Sequence, residues 1–126
     1  MNFLVCGPPG AGKTTYVREH KRYGDLVVDI DPIFEAITQL PPYEKPEHYL
    51  RLAFDVYYFL VEKIERGQLP REMVNAWVIA GGAKLQKRHQ LQRRLNAEVI
   101  VIEASTNDCL RHILNDKRRR DKLDLW

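Results

Sequence analysis

Apolar residues along the chain fall into two alternating kinds of segment: short unbroken runs, and longer stretches in which they recur every three or four positions. The runs at 2–6, 26–30, 76–80 and 98–103 are rich in Val, Ile and Leu and end at glycines or acidic residues. That is the form of parallel strands buried on both faces. Between them, 13–22, about 32–40, 46–66 and 84–96 carry helical spacing. Pro32 and Pro46 suit the first turns of helices, whereas Pro41-Pro42 and Gly67 are stops. In 46–66, Tyr49, Leu50, Leu52, Ala53, Val56, Tyr57, Leu60, Val61 and Ile64 form a wide apolar face, expected to pack in the core. Leu85, Leu91 and Leu95 mark a narrower stripe on a basic helix, and Ser105 with Asp108 resembles a capping pair for a last helix to about 115. Strands alternating with helices predict an α/β fold of three layers, a parallel sheet of four strands, or five, covered by helices on both faces. In such sheets ligands collect beyond the carboxyl ends of the strands.

The 126 residues, 44% hydrophobic and 29% charged, suffice for one domain over 1–126 and leave no room for a second. No run approaches the roughly 18 apolar residues of a membrane span, and Met1 leads straight into the first strand pattern, so a cytoplasmic protein without leader or membrane contact is expected. Cys6 lies in an apolar run and Cys109 in a helical pattern, which gives neither a disulfide framework nor a disulfide-linked partner. His20, His48, His89 and His112 are scattered without metal-ligand spacing. The net charge of +3 is uneven: residues 1–66 hold 8 Lys and Arg against 10 Asp and Glu, residues 67–126 hold 12 against 7, so the halves carry −2 and +5. The positive half suits an anionic partner, and triphosphate and nucleic acid answer that description equally.

Gly7-Pro8-Pro9-Gly10-Ala11-Gly12-Lys13-Thr14 matches the pattern Gly, four residues, Gly-Lys-Ser/Thr, and it stands between a predicted strand and a predicted helix. In a phosphate loop of this kind the glycines let backbone N–H groups and a helix N-terminus surround the β-phosphate. Lys13 is expected to reach the β- and γ-phosphates and the Thr14 hydroxyl to coordinate Mg²⁺, with Thr15 completing the binding stretch. Asp29 and Asp31 follow the second strand two positions apart, on one side if the segment is extended. A helix cap by Asp31 is the alternative, and capping and catalysis are compatible.

These motifs resemble the small P-loop kinases, which include shikimate kinase, nucleoside monophosphate kinases and the kinase domain of phage-type polynucleotide kinase; short phage or prophage ATP-binding proteins are the nearest likeness. The likeness runs from Asn2 to Asp121, with the phosphate loop as its specific part. It implies a P-loop NTPase fold and transfer of the γ-phosphoryl group of ATP·Mg. Asp31 takes the role of base or acceptor-positioning group, and Asp29 supports the metal. It also implies that Asp116-Lys117-Arg118-Arg119-Arg120 belongs to a lid at about 115–122, with Arg118 and Arg120 closing over the triphosphate and Arg111 adding a contact. Gly81-Gly82 is similar to the glycine pair that in shikimate kinase lets the backbone approach the acceptor; a plain turn is the other reading. The sequence departs from the group after the third strand, where many P-loop enzymes place an Asp and this chain has Ala80-Gly81-Gly82, leaving Glu103 as a further carboxylate candidate. Members of the group usually continue with another helix and often a fifth strand, so a compact four-stranded variant and a shortened chain are both open.

The acceptor is then a nucleotide, a polynucleotide 5′-end or a small-molecule hydroxyl. Lys84, Lys87, Arg88, Arg93 and Arg94 favour nucleic acid if they share a surface, but helical spacing spreads them over several faces. The competing class is a regulatory or DNA-processing ATPase module that hydrolyses ATP without a phosphorylated acceptor; the missing carboxylate after the third strand argues against it.

Overall fold

The computed structural model describes residues 1–8, 10–41, 44–81 and 85–103. Four parallel strands, β1 (Asn2–Gly7), β2 (Leu26–Val28), β3 (Ala76–Gly81) and β4 (Glu98–Val101), form one sheet in the order β2-β3-β1-β4. Helices α1 (Lys13–His20), α2 (Ile30–Thr38), α3 (Leu50–Glu65) and α4 (Leu85–Leu95) connect them, with a 3-10 turn at Glu47–Tyr49 ahead of α3. The expected α/β fold, a parallel sheet with helices on both faces, is therefore present.

The strand order explains which helix covers which face. The β1-to-β2 connection crosses the sheet in one direction, and the β2-to-β3 and β3-to-β4 connections return in the other. Right-handed crossovers then place α1 on one face and α2, α3 and α4 on the opposite one. Alternation along the strands divides the core accordingly. Leu4, Cys6, Ala76 and Val78 pack with Phe34, Ala53, Tyr57, Val61, Leu91 and Leu95, whereas Val5, Trp77 and Ile79 pack with Val17 of α1. Central β1, paired from Asn2↔Ala76 to Gly7↔Gly81 on one side and from Phe3↔Glu98 to Cys6↔Val101 on the other, is the most deeply buried strand.

At the amino end of the sheet one carboxylate ties the edge together. Asp25, just before β2, accepts from the backbone N–H of Arg22 at 2.9 Å and Asn75 at 3.2 Å, and from Asn75 Nδ2 at 3.4 Å and Trp77 Nε1 at 3.0 Å. Burial raises its pKa, but these donors outweigh burial and hold the carboxyl below its ordinary value.

Two expectations need correction. The apolar face of 46–66 is narrower than expected: Ala53, Tyr57, Val61 and Ile64 are buried and Leu50, Val56 and Leu60 half-buried, but Tyr49 and Leu52 are exposed. The buried stripe is the one that packs on the core with the sheet, α2 and α4, because a helix on an outer layer has one side to bury. The second strand ends at Val28 rather than Ile30, since its pairing with β3 stops at Val28↔Val78 and the chain turns there into α2.

Candidate functional site

β1 delivers Gly7 to the carboxyl end of the sheet, beside Gly81 of β3 in register. A Cβ on Gly7 would lie 2.6 Å from the Ile102 carbonyl oxygen, so only glycine fits where the chain beyond β4 crosses the start of the loop. That crossing is fixed by Ile102 N–H donating to the Cys6 carbonyl at 2.8 Å. Ala11 N–H closes on the Pro8 carbonyl at 3.2 Å, and Gly12 turns the chain into α1 with φ of 96°, a left-handed conformation that side chains resist. Helix α1 begins with no side-chain cap and no acidic residue in its first turn. Its leading N–H groups and the positive end of its dipole are thus directed at the loop. Buried Lys13 donates from Nζ to the Gly7 carbonyl at 2.7 Å, folding its ammonium over the loop. Gly10 is buried, while Pro8, Thr14 and Thr15 are exposed.

The second wall comes from the turn after β2. Asp29, extended at φ −140°, is the N-cap of α2: its Oδ1 accepts from Asp31 N–H at 3.4 Å, and its Oδ2 accepts from the Thr14 hydroxyl at 3.2 Å. The cap is thus Asp29, and Asp31 lies inside the first helical turn. The expected mechanism of convergence, alternation along an extended strand, does not apply; the two residues are joined because Asp29 caps the helix that carries Asp31. Asp29 is 5% exposed, and burial followed by the neighbouring Asp31 charge raises its pKa against the opposing pull of the Asp31 N–H, Thr14 and Lys13. Asp31 in turn forms a salt bridge with Lys45, itself 5% exposed, from the segment between α2 and the 3-10 turn.

Around this cluster, Tyr57 of α3 donates its hydroxyl to the Ile79 carbonyl at 2.8 Å, pinning α3 to the last turns of β3. Burial raises the Cys6 thiol pKa, only partly opposed by Arg88 and Lys13, which keeps it a packing residue. Thr14 and Asp29 present a hydroxyl and a carboxylate oxygen side by side, the hard-oxygen donors that suit Mg²⁺. Among the described residues no three His, Cys, Asp or Glu side chains gather into a metal cluster.

Residues 3–124 match the family model of the AAA domain. The chain belongs to the AAA-domain family. No curated protein matches it. Membership makes this AAA domain a P-loop, kinase-like protein with nucleotide-binding chemistry of the kinase or ATPase type. No helix among its described residues is long and apolar enough to cross a membrane.

Of the site residues expected from sequence, the AAA domain brings together Gly7, Gly10, Gly12, Lys13, Thr14, Asp29 and Asp31 at one end of its sheet. Glu103 is exposed beyond β4. Pro9, Gly82, Lys84, Arg111, Arg118 and Arg120, and with them the 115–122 lid, lie outside the described residues. Of the basic residues of α4, Arg94 pairs with Glu65 at 3.3 Å, Arg88 is half-buried, and Lys87 and Arg93 are exposed. Sequence reasoning misses Lys45 and the Tyr57 hydroxyl. Nothing about a lysine between prolines signals burial, and Tyr57 reads as one more apolar residue of its helix.

Proposed function

We propose that residues 1–126 act as one ATP-dependent phosphotransferase domain, moving the γ-phosphoryl group of ATP·Mg to a nucleotide, a polynucleotide 5′-end or a small-molecule hydroxyl. The observation that supports this reading is the hydrogen-bonded series Thr14–Asp29–Asp31 next to the Lys13 loop, the arrangement that an acceptor-side carboxylate beside a phosphate cradle calls for. Lys13 and the N-terminus of α1 hold the β- and γ-phosphates. Thr14 and Asp29 would hold Mg²⁺, which supplies charge neutralisation at the phosphate oxygens when bound. Asp31 orients the acceptor hydroxyl, whose oxygen bonds to the γ-phosphorus as the bond to the β,γ-bridging oxygen breaks, releasing ADP and the hydroxyl proton. Positioning suffices for much of this work because the transferring phosphoryl group is only loosely bonded to both oxygens at the transition state. Arg118 and Arg120 complete the proposal as lid residues that neutralise charge during transfer.

The second reading is ATP hydrolysis without an acceptor. Against it stands the end of β3, where Ala80 and Gly81 supply no carboxylate to orient a water. The test is transfer of labelled γ-phosphate from ATP·Mg to 5′-hydroxyl DNA and RNA, nucleosides, nucleoside monophosphates and small metabolites. A labelled product lost in Lys13→Ala and Asp31→Asn identifies the acceptor class. Free phosphate alone, undiminished in Asp31→Asn, would replace the kinase reading with the ATPase one.

A further inference from the structure

Lysine is among the side chains least often fully buried, and when buried it needs a charged partner. Lys45 is 5% exposed and meets Asp31. Asp31 in turn donates its N–H to the Asp29 carboxylate, which accepts from Thr14 at the head of the phosphate loop. The series Thr14–Asp29–Asp31–Lys45 therefore ends in the one positive group on its acceptor side that the described contacts reveal. Two adjacent carboxylates facing a triphosphate would repel it, since like charges a few ångströms apart interact strongly where water is excluded. An ammonium fixed on the far carboxylate offsets that repulsion and prevents the carboxylate from swinging toward the phosphates.

We propose that Lys45 is a positioning residue of the phosphate site: its buried ammonium anchors Asp31 beside Asp29 and offsets its charge, so that a nucleoside triphosphate binds next to two carboxylates. This rests on triphosphate binding at the Lys13 loop but not on phosphoryl transfer. It also assigns a role to the segment between α2 and α3, whose Lys45 meets the acceptor-side wall at Asp31.

The experiment is calorimetric titration of Mg·AMP-PNP, a non-hydrolysable ATP analogue, into the wild-type chain and four variants whose melting curves show a folded state. Lys45→Met is expected to weaken binding by about tenfold or more through the uncompensated charge, and Lys45→Arg to stay within about threefold of wild type. Removing the carboxylate as well, in Lys45→Met/Asp31→Asn, is expected to recover most of the loss. Asp31→Asn alone leaves the cation in place and should bind more tightly than the double variant. That last comparison stands even if Lys45→Met does not fold. Wild-type-like binding by folded Lys45→Met, a double variant as weak as Lys45→Met, or equal binding by Asp31→Asn and the double variant would overturn the inference. Absence of binding by the wild-type chain would overturn triphosphate binding itself, a separate and recognisable failure.

Discussion

β2 has an aspartate at each end, Asp25 before it and Asp29 after it, and their surroundings treat the same charge in opposite ways. Asp25 collects four N–H donors from the loop before β2 and from the start of β3, and its carboxylate is stabilised as an ion. Asp29 is more deeply placed beside a second carboxylate, and its ionised form is disfavoured. One end of the strand is therefore built for folding. The other holds a carboxyl whose pKa burial and Asp31 raise, an arrangement that fits the chemical role proposed for it.

Four substitutions sharpen or break this contrast, taken from the largest expected effect downward. Lys13→Ala removes the ammonium proposed to serve the phosphates, and by analogy with lost oxyanion donors should reduce phosphoryl transfer or ATP turnover by about 10²-fold or more, with little change in urea midpoint. A normal rate would detach the loop from function. Asp25→Ala leaves the Trp77 and Asn75 donors without their acceptor and should cost about 2–3 kcal/mol in urea unfolding while Mg·nucleotide affinity stays near wild type. Because the folded pKa of Asp25 lies below its unfolded value, its contribution is full above the unfolded pKa of about 3.9. It is lost as pH falls through the folded pKa, so the gap between wild type and Asp25→Ala should close in acid.

Asp29→Asn should behave oppositely. Asparagine caps as well as aspartate, and the folded-state cost of the charge disappears, so stability at neutral pH should be equal or higher. The folded pKa of Asp29 is raised, so wild type recovers that cost as pH falls through it, and any advantage of Asp29→Asn should shrink in acid. Mg²⁺-dependent turnover should fall in the same variant; loss of stability at pH 7 would contradict the contrast. Smallest, Tyr57→Phe leaves the Ile79 carbonyl without its donor and should cost about 1 kcal/mol, read as a shift in urea midpoint.

Much of this molecule is legible in its amino-acid sequence. Glycines and Lys13-Thr14 at a strand-helix junction have few structural alternatives, so the loop and its position at the carboxyl end of β1 follow from spacing alone. Four apolar runs separated by helical spacing give the parallel sheet for the same reason. What the sequence does not contain is tertiary closure. Asp29 and Asp31 stand out as a pair, but which of them caps α2 depends on where β3 stops pairing with β2. Lys45 becomes part of the site only because the chain after α2 folds back onto Asp31, and Asp25 acquires its role through partners fifty and more positions away. The exposed side of α3 likewise depends on which neighbours arrive, not on its composition.

The most direct test of a functional carboxyl end set against a structural amino end is a ¹⁵N–¹H NMR titration of the wild-type chain with Mg·AMP-PNP. Large amide shifts are expected at Gly10, Gly12, Lys13, Thr14, Thr15, Asp29, Asp31 and Lys45, with Asp25, Asn75 and Trp77 nearly still. Shifts centred on Asp25 and Asn75, or none at the Lys13 loop at saturating ligand, would contradict the assignment of the two ends.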